Sequence, residues 1–214
     1  MTFSILEIAS YFVYATLGLL SLFAIGIGLY KMGQFARLGV GRRRDAESLL
    51  NDWLGGQFSD FDEAIEAASK KRSVLAKVLR AAFSGLKARP NDVSYAEELT
   101  RQTAIIELAT MSERMRSLDM VVQAAPMLGL LGTVVGMIDA FGVLSQTQGA
   151  IDPTLLASGI YTALATTAAG LTIALVAFFI ATWLESRIDR ERNMIEAVMS
   201  AAIHGRVDPT EKKF

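Results

Sequence analysis

The chain has 214 residues, of which 52% are hydrophobic and 20% are charged, and its mean hydropathy is +0.36. The charged residues are gathered into blocks, which is typical of membrane proteins, whereas a soluble domain spreads its charges along the chain. A formal net charge of −1 gives no indication of nucleic-acid binding, so no nucleic-acid partner is expected. The absence of cysteine excludes disulfides and thiolate metal sites.

Three apolar stretches predict transmembrane helices. A helix needs about 20 residues to cross a hydrocarbon core of about 30 Å. Residues 8–30, 121–144 and 157–184 meet this requirement, and Asp139 is the one charge within them. Lipid cannot satisfy backbone amides, so each stretch must be helical. Basic residues follow the first stretch and none precedes it, so we interpret it as a retained anchor and not as a signal peptide.

The distribution of basic residues predicts the orientation of these helices. All 21 Lys and Arg fall in residues 31–119 and 185–214, and the stretch 145–156 has none. By the positive-inside rule, residues 31–120 and 185–214 are cytoplasmic, whereas residues 1–7 and 145–156 are external. The predicted fold is an all-α membrane protein with three transmembrane helices, N-terminus out and C-terminus in, and with long helical cytoplasmic extensions.

The cytoplasmic stretch 31–120 is predicted to consist of several helices with clear breaks between them. The expected breaks are Gly39, Gly41, Gly55 with Gly56, and residues 89–92. Ser59 is a candidate N-cap, and Ser94 with Glu97 matches a capping box that would open a new helix. From Ser94 to residue 144 only Pro126 interrupts the pattern, which predicts one helix of about 50 residues and about 75 Å. The third span is likewise predicted to continue to Gly205.

Small residues recur at helical spacing along the second and third predicted spans. In the second span they are Ala125, Gly129, Gly132, Gly136 and Ala140. In the third span they are Gly159, Ala163, Gly170, Ala174 and Ala177. Helices in lipid associate through small residues that let their backbones approach. We therefore predict helix packing through Gly129, Gly132, Gly136, Gly159 and Gly170, and we expect the first span, which has no such stripe, to face lipid.

Four threonines lie on or beside these stripes: Thr133, Thr162, Thr166 and Thr167. Two interpretations stay open, because a membrane threonine can simply bond the carbonyl four residues before it, or several can line an ion pathway. A proton pathway also needs a titratable carrier, and apart from Asp139 the spans contain no acidic or basic side chain. If these helices line an ion pathway, the carrier must come from another chain. Asp139 is expected at the external interface, either solvated or capping, with ion entry as the alternative.

The chain offers no sign of an enzyme. It has no nucleophile–base pair, metal-ligand cluster or glycine-rich phosphate loop, so no catalytic residue, metal or cofactor is expected. The single histidine, His204, is expected to be solvated in the polar C-terminal stretch. A non-conducting helical scaffold assembled through the small-residue stripes stays an alternative function. A secondary transporter is disfavoured because no broken helix or inverted repeat is visible.

Two long motifs carry a family resemblance. APMLGLLGTVVGMIDAF, residues 125–141, and SGIYTALATTAAGLTIAL, residues 158–175, resemble the second-span and third-span signatures of the MotA/TolQ/ExbB proton channel family. The likeness extends over residues 94–190, and the length with three spans is similar to ExbB and TolQ. Thr133 and Thr167 match the pore threonines of that family, and Pro126 and Gly170 match further positions of its motifs.

The resemblance implies a function and a set of partners. A member of this family is expected to form a homopentamer around a dimer of single-span ExbD/TolR-like partners, whose membrane aspartate carries the ion. Through a TonB/TolA-like protein, such a motor in the bacterial inner membrane would energise outer-membrane transport or envelope maintenance. ExbB and TolQ usually have glutamate where this chain has Thr162, and proline where it has Val176 and Ser158. The subfamily, the process that is energised, and the choice between protons and sodium therefore stay open.

Overall fold

The structure is a computed structural model that describes residues 5–146 and 153–205, and this part of the chain is built from helices alone. They are α1 (Ile5–Leu38), α2 (Arg43–Leu54), α3 (Phe61–Ser69), α4 (Val74–Ala88), α5 (Val93–Ser112), α6 (Met115–Gln146) and α7 (Pro153–His204). Three stretches are long and apolar enough to cross a membrane, which confirms the predicted all-α fold with three membrane-spanning helices. The orientation stays a prediction. Most of the predicted external loop, the first four residues and the tail after Gly205 lie outside the described residues.

The chain divides into two compact units. The first, called the span unit, consists of the N-terminal residues up to Tyr30 together with Arg114–Trp183. The second, called the charged unit, consists of Lys31–Glu113 together with the chain from Leu184 onward. The predicted membrane stretches fall in the first unit except for their last residue, Leu184, and most of the ionised side chains fall in the second.

In the span unit, one face of α1 packs against α6 and α7. Val13 and Leu17 are buried in a cluster with Ala125 and Ala174, and the Tyr14 hydroxyl donates to the carbonyl of Thr162 at 3.3 Å. The expectation that the first span would face lipid is therefore wrong for this face. Contact with lipid stays a prediction for the opposite side, where large apolar side chains are exposed. These include Tyr11, Phe12, Leu19, Leu22 and Leu29.

The predicted single helix from residue 94 to 144 is wrong, because α5 ends at Ser112 and α6 begins at Met115. Between them Arg114 adopts a left-handed φ of 63°, which is uncommon for a residue other than glycine. Its guanidinium lies 4.3 Å from the centre of the Tyr30 ring, a cation–π contact that favours this conformation. No glycine or proline marks this position, so the sequence pattern does not reveal the break. Pro126 is accommodated inside α6.

In the charged unit, two carbonyls in the last turn of α5 accept hydrogen bonds from side chains of α1. The Lys31 ammonium donates to the carbonyl of Met111 at 2.8 Å, and the Gln34 amide donates to the carbonyl of Thr110 at 3.2 Å. Helix C-termini leave such carbonyls without partners and attract positive charge. Lys31 is fully buried, and its position shows how a basic residue at the end of a span can stabilise a neighbouring helix end.

The core of the charged unit is formed mainly by α4, which packs against α2, α3 and α5. Its largest members are Leu50, Leu75, Leu79 and Phe83, all at most 2% exposed. Trp53 of α2 packs against this core, and its ring centre lies 4.6 Å from that of Phe83. The predicted breaks at the glycines and at residues 89–92 are confirmed, and Gly39, Gly41 and Gly56 have positive φ.

Both predicted helix caps are displaced to a neighbouring aspartate. Asp60, and not Ser59, is the N-cap of α3, where its carboxylate accepts from the Glu63 amide at 2.8 Å. The predicted capping box of Ser94 and Glu97 is wrong, because Asp92 caps α5 two residues earlier. Aspartate is at least as good an N-cap as serine, so an aspartate one or two residues away can take the role.

Helix α7 runs unbroken to His204 and ends at Gly205, whose φ is 78°, as predicted. Within the charged unit it supplies a carboxylate and a carbonyl to other elements. Glu191 accepts from the Gly41 amide at 3.0 Å, and the carbonyl of Ala202 accepts from the Trp53 indole at 3.1 Å. The expectation for His204 is wrong in part, because its ring pairs with the Glu97 carboxylate at 2.6 Å, although both side chains are about half exposed.

Candidate ion-pathway site

The backbones of α6 and α7 lie in direct contact at two glycines. A Cβ atom built on Gly170 would lie 2.5 Å from the carbonyl oxygen of Ala125 and 3.0 Å from the Cα of Gly129. A Cβ built on Gly129 would lie 2.9 Å from the carbonyl oxygen of Thr166. These neighbours are backbone atoms and cannot rotate away, so the two positions require glycine.

The other glycines of the two stripes also face neighbouring helices within the span unit. A Cβ on Gly132 would meet the Thr166 side chain at 2.7 Å and Val13 of α1 at 3.0 Å. Gly136 lies against Ala163, and Gly159 against Ala140, with closest distances of 3.0 and 2.6 Å from the added Cβ. All five glycines therefore occupy close helix contacts, a geometry that supports the predicted packing role.

This close approach brings three of the four predicted threonines together. The hydroxyls of Thr133, Thr166 and Thr167 all lie within hydrogen-bond distance of the Gly129 carbonyl oxygen, at 3.2, 3.2 and 3.0 Å. The Thr133 and Thr167 hydroxyls also contact each other directly. We call these three residues the threonine cluster. Thr166 is buried at 4% exposure, whereas Thr133 and Thr167 are half-buried.

The cluster has more acceptors than protons, which permits alternative hydrogen-bond directions. Each threonine hydroxyl donates one proton. Thr166 lies closest to the carbonyl of Ala163, at 2.6 Å. In the remaining pair, Thr133 can donate to Thr167, which then donates to Gly129, or Thr167 can donate to Thr133, which then donates to Ala163 at 3.2 Å. Such a pair can reverse its direction and relay a proton, but it cannot hold a charge without a titratable group.

Thr162 lies apart from the cluster. Its hydroxyl is exposed and donates to the carbonyl of Ser158 at 3.0 Å, four residues earlier in the same helix. The local interpretation therefore accounts for the bond that this hydroxyl makes. A role of Thr162 in the ion pathway stays a prediction, as does the interfacial role of Asp139 on α6.

An apolar groove runs along α6 beside Thr133. It has a volume of about 610 Å³, and its lining includes Val134, Met137, Ile138 and Phe141. Val134, Ile138 and Phe141 are each about half exposed. The groove therefore presents the Thr133 hydroxyl beside an apolar surface long enough to contact about two turns of another helix, and Ser145 also belongs to its lining.

The sequence did not reveal the shared acceptor of the cluster. Gly129 was predicted from its spacing as a packing residue, but its carbonyl oxygen also serves three hydroxyls from two helices. The sequence does place Gly129 four residues before Thr133, a spacing that allows the Thr133 hydroxyl to donate to the Gly129 carbonyl within one helix. The two bonds from α7 depend on the close backbone contact, which spacing alone does not define.

Comparison with known proteins shows which family the chain belongs to. Residues 70–197 match the MotA/TolQ/ExbB proton channel family. The chain is 31% identical over 160 residues to an ExbB homolog of Methanothermobacter thermautotrophicus, covering 70% of this chain and 55% of the relative. It is 32% identical over 156 residues to an ExbB-like protein of Synechocystis sp., covering 72% and 61%. It is 41% identical over 86 residues to the biopolymer transport protein exbB1 of Vibrio cholerae, covering 40% and 38%.

The chain spans about half the length of the curated relatives that it matches. The family match includes α6, the whole threonine cluster and all five packing glycines. With three helices able to cross a membrane, the chain is a multi-pass membrane protein that belongs to the MotA/TolQ/ExbB proton channel family, as an ExbB/TolQ-like member.

Proposed function

We propose that this protein is the channel subunit of a motor in the bacterial inner membrane, which converts proton flow into mechanical work on a periplasm-spanning partner. The observation that carries the proposal is the threonine cluster, which joins α6 and α7 through one shared carbonyl and lies among spans that contain no basic residue and no acidic residue except Asp139. Hydroxyls in this setting can solvate and relay a proton while another chain supplies the group that carries it.

The other chain is proposed to bind in the groove beside Thr133. An ExbD/TolR-like partner with a single membrane helix would place its aspartate against the half-buried Thr133 and Thr167 hydroxyls. The side chains of Val134, Ile138 and Phe141 can pack against a second helix through van der Waals contacts. Alternating protonation of the aspartate would then change how strongly that helix is held, and this would couple proton flow to movement.

The larger assembly follows the family. We propose a homopentamer around a partner dimer, acting through a TonB/TolA-like protein on outer-membrane transport or envelope maintenance. Support comes from the family match and from the Vibrio cholerae relative, which is named for biopolymer transport. No enzymatic step is proposed.

Co-purification with an ExbD/TolR-like single-span protein of the same organism tests the proposal. Native mass spectrometry of the complex should give five copies of this chain with two of the partner. Failure to assemble with any aspartate-bearing single-span protein would contradict the proposal. Ile138→Trp should fill the groove and prevent partner binding. Leu22→Trp on α1, where Leu22 is 71% exposed, is the matched control and should retain the partner.

The alternative, a non-conducting scaffold, shares the need for the packing glycines but not for the hydroxyls. Assembly and full function after removal of the cluster hydroxyls would favour the scaffold over the channel. Replacement of threonine by valine keeps the side-chain shape and removes the hydroxyl, so such variants separate the two functions.

A further inference from the structure

A cavity of about 490 Å³ opens in the charged unit among the ends of α1 and α3 and the sides of α4 and α5. Its lining is strongly basic. The charged side chains around it are Arg37, Lys71, Arg72, Lys77, Arg80 and Glu107. None of the residues that line this cavity belongs to the threonine cluster, and the proposed channel function does not use them.

Among the described residues, two of the five basic side chains have acidic partners and three do not. Lys77 donates to both oxygens of Glu107, at 2.8 and 2.9 Å, and Lys71 lies 3.5 Å from Asp45. Within residues 5–146 and 153–205, no hydrogen bond or ion pair involves the guanidinium of any of the three arginines. They are Arg37, Arg72 and Arg80.

The negative C-terminal ends of nearby helices offset only part of the positive charge of these arginines. Helices α1 and α3 end at Leu38 and Ser69, and each C-terminus is equivalent to about half a negative charge. Arg37 lies in the last turn of α1, where a cation is favourable. Arg72 and Arg80 do not belong to the last turn of either helix. Three like charges around one cavity repel each other, and a bound anion would remove that cost.

We propose that this cavity binds a phosphate-bearing anion. The guanidinium group is planar and its paired N–H donors match the geometry of phosphate oxygens, and several arginines around one cavity are typical of phosphate sites. The volume is within the range of small-molecule sites, about 300–1,000 Å³. Arg37 lies seven residues after Tyr30, the end of the predicted first span. The phosphate can therefore come from an anionic lipid headgroup or from a soluble molecule, and both sources have the same chemistry.

Binding to the purified full chain tests the proposal in two arms. In nonionic detergent, sodium pyrophosphate is titrated and heat is measured by calorimetry. In nanodiscs, phosphatidylcholine alone is compared with phosphatidylcholine plus cardiolipin, and retained lipids are counted by native mass spectrometry. We expect binding in at least one arm. Each arginine near an anionic group contributes on the order of fivefold, so Arg37→Gln/Arg72→Gln/Arg80→Gln should weaken it roughly 100-fold.

The matched control is Arg44→Gln/Arg190→Gln/Arg192→Gln, which removes the same charge from exposed positions outside the cavity. It should keep the wild-type affinity within about threefold if the interaction is local, since exposed charges are screened over about 10 Å. Glu107→Gln releases Lys77 and should tighten binding. Binding of pyrophosphate identifies a soluble phosphate, and retention of cardiolipin alone identifies a headgroup. No binding in either arm, or equal loss in both triple variants, would overturn the proposal.

Discussion

The span unit and the charged unit are packed by different rules. The contacts between α6 and α7 use glycine and alanine, and Ala125, Ala163 and Ala177 are almost fully buried. The charged unit buries large side chains such as Leu75 and Phe83. Lipid gives no hydrophobic drive between helices, so the span unit depends on close backbones, whereas water rewards the burial of apolar area. Close backbones also bring a carbonyl oxygen within reach of hydroxyls from the neighbouring helix, and the threonine cluster results from this.

The largest effect is expected where the backbones touch. In Gly170→Leu the new side chain would meet the Ala125 carbonyl and the Gly129 backbone, neither of which can move aside cheaply. Overpacking of a close contact costs about 1–3 kcal/mol or more. Leucine favours membrane insertion, so the variant should insert. It should not form the oligomer or admit partner helices, and blue-native gels of membrane extracts would show the loss. Gly132→Leu is expected to behave likewise.

Gly26→Leu provides the control for these variants. Gly26 lies on α1, in the same unit, and a Cβ atom there would meet nothing within 4 Å. It should assemble like the wild type. An intact and active complex of Gly170→Leu would show that the glycine stripe faces lipid, and the proposed pathway would then be wrong.

An effect on stability, and not on assembly, is expected in the charged unit. Phe83→Ala leaves a cavity beside Trp53 and should lower the free energy of unfolding by about 3–5 kcal/mol. Denaturant titration of the full chain in detergent, followed by tryptophan fluorescence, measures it. Leu54→Ala, where Leu54 is 41% exposed, should cost far less. Equal losses in the two variants would contradict the assignment of the core to α4.

The smallest predicted effect concerns Glu191, which is 2% exposed and has one carboxylate oxygen without a hydrogen-bond partner among the described residues. Burial raises the pKa of Glu191 above its ordinary value of 4.5, while the Gly41 amide and Arg43 partly oppose this shift. The folded state therefore binds the proton more tightly than the unfolded state. The stability due to this group is fully present below pH 4.5 and is lost as pH rises through the folded pKa.

Glu191→Gln should remove this loss of folding stability at high pH. The glutamine can still accept from the Gly41 amide, so thermal unfolding should shift upward relative to wild type at pH 8, and the difference should shrink toward pH 4.5. Glu196→Gln changes an exposed residue on the same helix and should leave the pH profile of stability unchanged. Parallel pH profiles for wild type and Glu191→Gln would contradict the prediction.

The pattern of the sequence predicted the elements whose causes are local. The apolar stretches and Gly205 determined the spans and the end of α7, because hydrophobic length and glycine act within one segment. The break at Arg114 was missed because it depends on a contact with the distant Tyr30 ring. In the same way, spacing selected the threonines, but which of them meet depends on the helix contact at Gly129. Thr162 has the same residue type and span, and it stays outside the cluster.

Proton flux after removal of the cluster hydroxyls tests the central claim most directly. The complex with its single-span partner would be reconstituted in liposomes that contain a pH-sensitive dye. Thr133→Val/Thr167→Val should assemble normally but reduce flux at least about tenfold, since a side chain positioned for proton transfer contributes on the order of 10²–10⁴ to the rate of general acid–base reactions. Thr172→Val is the control, because the Thr172 hydroxyl bonds Ala168 in its own helix. Unchanged flux in the double variant would contradict a pathway through the threonine cluster and favour the scaffold.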